Sequence, residues 1–127
     1  LLILNKDFYT TETLVENIDF EFRIQRLGNQ YRGFKRISAD SWKNNWGAIQ
    51  HVDYALEKRH KEWIDAASGI FGGLDICALD VLLLKDGKEV ILELNGTACG
   101  LMAQHESEDA SIIRDMLVEK MSDIYCK

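Results

Sequence analysis

The dipeptide Asp86-Gly87, set between an apolar run over residues 74–84 and a second over 89–94, constrains this chain more than any other feature. Asp-Gly favours the positive backbone angles of a tight hairpin, so two apolar, β-branched runs joined by it predict adjacent antiparallel strands. With Asp86 and Gly87 as the central turn residues, position 85 pairs with 88 and 84 with 89, and counting down the ladder sets Asp80 directly opposite Glu93. Side chains alternate faces along a strand, so Asp80 shares its face with Ala78 and Leu82 and, across the ladder, with Ile91 and Asn95.

Opposed carboxylates destabilise a sheet, and burial raises the cost of ionising each of them. Either they share a proton, or a positive group relieves them, or Asp80 lies at an exposed stretch while Glu93 pairs with a nearby lysine. A hard divalent cation is the most economical relief, because Mg²⁺ or Ca²⁺ takes oxygen ligands and often uses one or two carboxylates together with substrate phosphates. Asp80, Glu93 and Asn95 are the candidate metal ligands on this reading.

Upstream, Phe20 to Arg26 alternates apolar and polar side chains, Gly28-Asn29 offers a turn, and Tyr31 to Ile37 continues as a second strand, a hairpin whose outward side reads as basic. Residues 38–47 favour a functional or crossover loop containing Trp42 and Trp46. Val52, Ala55, Leu56, Trp63, Ile64 and Ala67 recur at helical spacing, with Gly69 as the C-terminal stop. Ile112, Ile113, Met116, Leu117, Met121 and Ile124 mark a second amphipathic helix, with Ser107 as N-cap and Glu108 and Asp109 in the first turn. The pattern predicts an α+β unit, two helices on one antiparallel sheet.

With 127 residues and 46% hydrophobic content, the chain has material for one modest core and no room for a second domain. Its net charge of −6 argues against a nucleic-acid or anionic-membrane partner. Arg23, Arg26, Arg32, Lys35, Arg36 and Lys43 nevertheless fall in a stretch whose only acid is Asp40, a cationic wall suited to a small anion. Cys77, Cys99 and Cys126 are odd in number and lack metal-ligand spacing, which predicts reduced thiols of the cytosol. No apolar run is long enough for a transmembrane segment or a signal peptide, and the absent initiator methionine reads as the mark of a fragment. His51 and His60 read as structural or surface residues and His105 as a loop residue of no assigned role.

The run Gly72-Gly73-Leu74-Asp75-Ile76-Cys77-Ala78 resembles the synapsins. So do Phe22-Arg23-Ile24-Gln25-Arg26-Leu27-Gly28, Trp42-Lys43-Asn44-Asn45-Trp46-Gly47, Lys85-Asp86-Gly87 and Ile91-Leu92-Glu93, with His105 and Glu108-Asp109 in the same register. The resemblance covers nearly the whole chain. It implies the C-terminal subdomain of an ATP-grasp fold, with residues 1–16 as the end of the lid subdomain and the adenine hinge and 17–127 as the metal- and phosphate-binding part. It implies ATP with Mg²⁺ or Ca²⁺ as cofactors, Asp80 and Glu93 at the cation, Arg36 and Lys43 on the phosphates and Asn45 beside them, with Glu12 and Val15 on the nucleoside side. Arg36 has the forked donor geometry that phosphate accepts, whereas Lys43 acts as a point charge.

The chain departs from the family where Thr13 stands at the hinge position of a ribose-binding glutamate, with Glu12 beside it, and where Asp80 replaces a glutamate. The lid lysines of an ATP-grasp domain would precede residue 1. The family implies a regulatory ATP-binding module rather than an enzyme, in a cytoplasmic homo-oligomer at the periphery of presynaptic vesicles that contacts vesicle surface and cytoskeleton and serves neurotransmitter release. Glu93-Leu94-Asn95 resembles instead the Glu-x-Asn of catalytic ATP-grasp enzymes, which keeps an ATP-dependent carboxylate-amine ligase as the alternative. A scaffold domain that has lost its ligand is the third reading.

Overall fold

Alternating apolar residues in β1 (Ile18–Leu27) and a near-continuous apolar run in β4 (Ile76–Leu84) make these the two strands buried on both faces. They lie side by side in the middle of a five-stranded sheet of order β3-β2-β1-β4-β5, every neighbouring pair antiparallel, completed by β2 (Gln30–Ser38), β3 (Ile49–Asp53) and β5 (Glu89–Asn95). Helix α1 (Lys58–Ser68) connects β3 to β4, and α2 (Glu106–Tyr125) follows β5 after short 3-10 turns at Thr97–Cys99 and Ala103–His105. The computed structural model describes residue 11 and residues 13–38 and 49–125.

One face of the sheet carries the apolar core. Phe22, Ile24, Cys77, Leu79 and Val81 are fully buried against Ile64 of α1, with Tyr54, Leu56, Trp63 and Ala67 around them. Each such large side chain contributes roughly 1.5–3 kcal/mol relative to exposure. His60 is buried here and is structural: its Nδ1 accepts the Glu57 N–H at 3.1 Å, capping α1, and its Nε2 lies 3.1 Å from Glu89 at the start of β5. The opposite face, bearing Glu21, Arg23 and Gln25 of β1, is polar and only partly covered. Gln25 Nε2 donates to the Gly100 carbonyl at 2.8 Å, and Arg32 of β2 meets the fully buried Asp109 of α2 at 2.6 Å.

The α+β architecture is as expected, with three local corrections. The β4–β5 turn contains three residues rather than two: Gly87 N–H donates to Leu84 O and Leu84 N–H to Lys88 O, with Gly87 at φ +85°. This shifts the ladder near the turn by one residue, so that Leu83 pairs with Glu89 and Val81 with Ile91. A bulge at Leu92 then restores the count, and Asp80 does stand opposite Glu93, with Ala78 opposite Asn95. Ile91 therefore travels with Val81 and not with Asp80.

The second correction concerns residues 49–57. Val52 belongs to β3, paired with Lys35, and the helix begins only after Glu57. The ladder to β2 satisfies backbone groups that a helix start would have left orphaned, and it overrides the apolar spacing. The third is α2, which starts at Glu106, one residue before Ser107, and is only half docked. Asp109 is buried and Ile112, Ile113 and Met116 are partly covered, whereas Leu117, Val118, Met121 and Ile124 stand at least half exposed.

Gly33 is the tightest approach in the sheet. A Cβ there would lie 2.3 Å from the Tyr54 carbonyl and 2.7 Å from Leu56 Cδ2, because the Tyr54 N–H donates to Gly33 O at 2.8 Å and draws the segment after β3 across β2. Gly33→Ala is therefore expected to destabilise the fold by about 2 kcal/mol through overpacking. A lowered urea midpoint at unchanged slope checks this; an unchanged midpoint contradicts it.

Candidate functional site

Strand register assembles a charged cluster from two adjacent ladder rows of the polar face. Arg36 of β2 faces His51 of β3 on one side and Glu21 of β1 on the other; Arg23 of β1 faces Asp80 of β4, and Asp80 faces Glu93 of β5. Asp80 is buried at 2% exposure while Glu93 is open to solvent. The Arg23 guanidinium grips Asp80 with both prongs, Nε at 2.6 Å from Oδ1 and Nη2 at 2.7 Å from Oδ2. Its remaining nitrogen, Nη1, donates to the carbonyl of Cys99 in the turn after β5. Arg36 pairs with Glu21 through Nη1 and approaches Asp80 Oδ1 with Nη2 at 3.8 Å. Asn95 Nδ2 donates to Asp80 Oδ2 at 3.1 Å and to Glu93 Oε1 at 2.9 Å, so the amide ties the two carboxylates together.

Of the candidate residues, Arg36, Asp80, Glu93 and Asn95 come together in this cluster. Val15 lies apart, half-buried in the segment leading into β1, and Glu12, Lys43 and Asn45 fall outside the described residues. Asp80, Glu93 and Asn95 share a face as expected, and the burial of Asp80 removes the alternative of an exposed carboxylate. The positive group that relieves Asp80 is a side chain, Arg23, which the sequence reading counted only as part of a basic surface.

Among the described residues that surface is not a free cationic wall. Arg23 and Arg36 are ion-paired as above, Arg26 lies 3.6 Å from Asp65, Arg32 meets Asp109 and Glu108, and the Lys35 ammonium sits 3.5 Å over the Phe20 ring. Alternation along β1 placed Glu21, Arg23 and Gln25 on one face. Their partners became visible only with β1 seated next to β4, a long-range pairing that local pattern does not carry.

The donors fit a hard cation in kind: two carboxylates and a side-chain amide oxygen at the end of a rigid hairpin. As folded, however, both Asp80 oxygens are engaged by Arg23, and Asn95 presents its nitrogen to the carboxylates. Among the described residues no three of His, Cys, Asp and Glu gather as a metal centre, so phosphate oxygens or water must complete any coordination at Asp80 and Glu93.

Burial by itself pushes the Asp80 carboxyl up, but the Arg23 hydrogen bonds and charge, with Arg36 behind them, hold it below its ordinary value of 3.8. Burial, then the charges of Arg36 and Arg23, hold the His51 imidazole below its own ordinary value. A depressed carboxyl contributes stability that is present above about pH 4 and is lost as pH falls through the folded-state value. Asp80→Asn leaves the half-buried Arg23 charge without its carboxylate and is expected to cost about 2 kcal/mol at pH 7. The gap to the unsubstituted protein should narrow steadily below pH 4 in denaturation experiments. A neutral or stabilising effect at pH 7, as a relict pair of repelling acids would give, contradicts the assigned ion pair.

The chain was compared with known proteins. Residues 1–123 match the family model described as "Synapsin, ATP binding domain". A synapsin of Drosophila melanogaster is 33% identical over 106 residues, which cover 83% of this chain but only 10% of that much longer protein. Among solved structures, the macrocyclase MdnC of Microcystis aeruginosa, crystallised with its precursor peptide MdnA, superposes with a TM-score of 0.60 at 22% identity, over 80% of this chain and 34% of the macrocyclase. At that identity the likeness speaks for fold alone, and it agrees with the sheet and helices of the ATP-grasp C-terminal subdomain. With nearly its whole length inside the family model and a third of the aligned positions identical in the fly protein, the chain belongs to the synapsin ATP-binding domain family.

Proposed function

We propose that this chain is the cation- and phosphate-binding half of a regulatory ATP site, with residues 1–16 at its adenine hinge and 17–127 carrying the phosphate and metal groups. The observation that carries the reading is the cross-strand pairing of Asp80 with Glu93, bridged by Asn95, in a member of a family defined by ATP binding. Asp80, Glu93 and the Asn95 oxygen would hold Mg²⁺ or Ca²⁺, which supplies charge neutralisation to the nucleotide phosphates. Arg36 offers its planar fork to the same phosphates, joined by Lys43 and Asn45. Glu12 and Val15 meet the nucleoside.

Nucleotide binding then acts by population shift: it favours whichever conformation or oligomer it binds better, limited by the difference in affinity. On this reading, suggested by membership of the synapsin family, the full-length protein is a cytoplasmic homo-oligomer at the synaptic-vesicle periphery, in contact with vesicle and cytoskeleton and serving neurotransmitter release. Among the described residues no helix is long and apolar enough to cross a membrane.

A ligase reading draws on one specific feature, the run Glu93-Leu94-Asn95, which resembles the Glu-x-Asn of catalytic ATP-grasp ligases and here has the Asn95 amide held against both carboxylates. It requires release of ADP and phosphate that depends on an added acid and amine.

Glu93 is the better residue for testing the site, because it is exposed and its loss unpairs no buried arginine. Calorimetric titration of the family-length domain with ATP and Mg²⁺, Mn²⁺ or Ca²⁺ is expected to show metal-dependent binding. Glu93→Gln should weaken it by about ten-fold, as expected for one lost charged contact of roughly 1.4 kcal/mol. Equal ATP binding by Glu93→Gln, or binding indifferent to metal, contradicts the site; steady ADP formation only with acid and amine present favours the ligase.

A further inference from the structure

Asp80 is buried, and it is already served by a cation. Arg23 occupies both of its oxygens at 2.6 and 2.7 Å and is itself anchored on the Cys99 carbonyl, so all three guanidinium nitrogens are engaged. The charged cluster holds two arginines, Arg23 and Arg36, against three carboxylates, Glu21, Asp80 and Glu93. A divalent ion entering alone meets an arginine charge within hydrogen-bond distance of the oxygens it needs, and it would leave the cluster with an excess of positive charge. A nucleoside triphosphate brings several negative charges and gives Arg23 and Arg36 other anions to hold.

We infer that Arg23 is a built-in counter-ion that closes Asp80 to free divalent cations and makes metal entry conditional on the triphosphate. The inference rests on the proposed ATP and cation site and names its regulation. Metal and nucleotide are thereby coupled through one side chain, and reciprocity requires that each raise the affinity of the other by the same factor. Arg23 is a positioning residue, acting on the metal through Asp80. Glu93, exposed on β5 and in contact with Asn95, remains available for the first encounter with the ion.

The test is Mn²⁺ binding to the full-length protein, read by electron paramagnetic resonance of the free ion, without nucleotide and with a non-hydrolysable ATP analogue. Unsubstituted protein is expected to bind Mn²⁺ weakly alone and about ten-fold or more tighter with the analogue. Arg23→Gln removes the competing charge and should tighten Mn²⁺ binding without nucleotide by about ten-fold, the scale of one charge at contact range in a partly wet site. The ratio between the two conditions then collapses toward one.

Arg23→Lys keeps the charge but cannot span both oxygens, so a several-fold rise in affinity for Mn²⁺ alone is expected; this variant carries the test if Arg23→Gln does not fold. Unchanged or weaker binding of Mn²⁺ alone in the folded variants overturns the inference and leaves the site standing. Absence of Mn²⁺ binding to unsubstituted protein even with the analogue overturns both.

Discussion

The Arg23–Asp80 pair is the interaction on which the polar face depends. It spans the two central strands, β1 and β4, and places a carboxylate of almost no solvent exposure against the one side chain able to satisfy both of its oxygens at once. Without Arg23, Asp80 would face Glu93 across the ladder with only the more distant Arg36, at 3.8 Å, and the Asn95 amide to offset its buried charge. With it, the sheet tolerates acids on two adjacent strands, and Asn95 and the Cys99 turn are held in register around them.

The two faces of the sheet divide the work. The face under α1 is apolar and supplies the stability of the unit, with Phe22, Ile24, Leu79, Val81 and Ile64 packed out of solvent. That burial lets the opposite face carry charges whose pairing is close to neutral in energy but strict in geometry. A ligand that redistributes those pairs meets a firm scaffold, since the arginines and acids sit on strands rather than on mobile loops. Because Arg23 and Arg36 both reach Asp80, a ligand that draws on one member of the cluster changes what the others can hold.

Much of this was legible in the chain, for identifiable reasons. Asp-Gly announced the β4–β5 hairpin because turn chemistry is local, although the Asp80–Glu93 pairing followed only because the longer turn and the Leu92 bulge shift the ladder by one residue in opposite senses. The Gly28 turn and the alternation of β1 were equally local. Strand β3 escaped notice because a five-residue edge strand leading into a helix mimics helical periodicity, and its partner β2 lies across residues 38–47. Arg23 was counted but not placed: its role is a property of sheet order, β2-β1-β4, which no spacing within β1 encodes. Lys43, Asn45 and Glu12 stand as family-based assignments outside the described residues.

The most direct measurement is a crystal structure of the domain with an ATP analogue and Mn²⁺, the ion located by its anomalous scattering. The account predicts manganese coordinated by Asp80 and Glu93 and by phosphate oxygens, with the Arg23 guanidinium withdrawn from Asp80 toward the phosphates. Manganese bound elsewhere, with the Arg23–Asp80 fork intact, would contradict it.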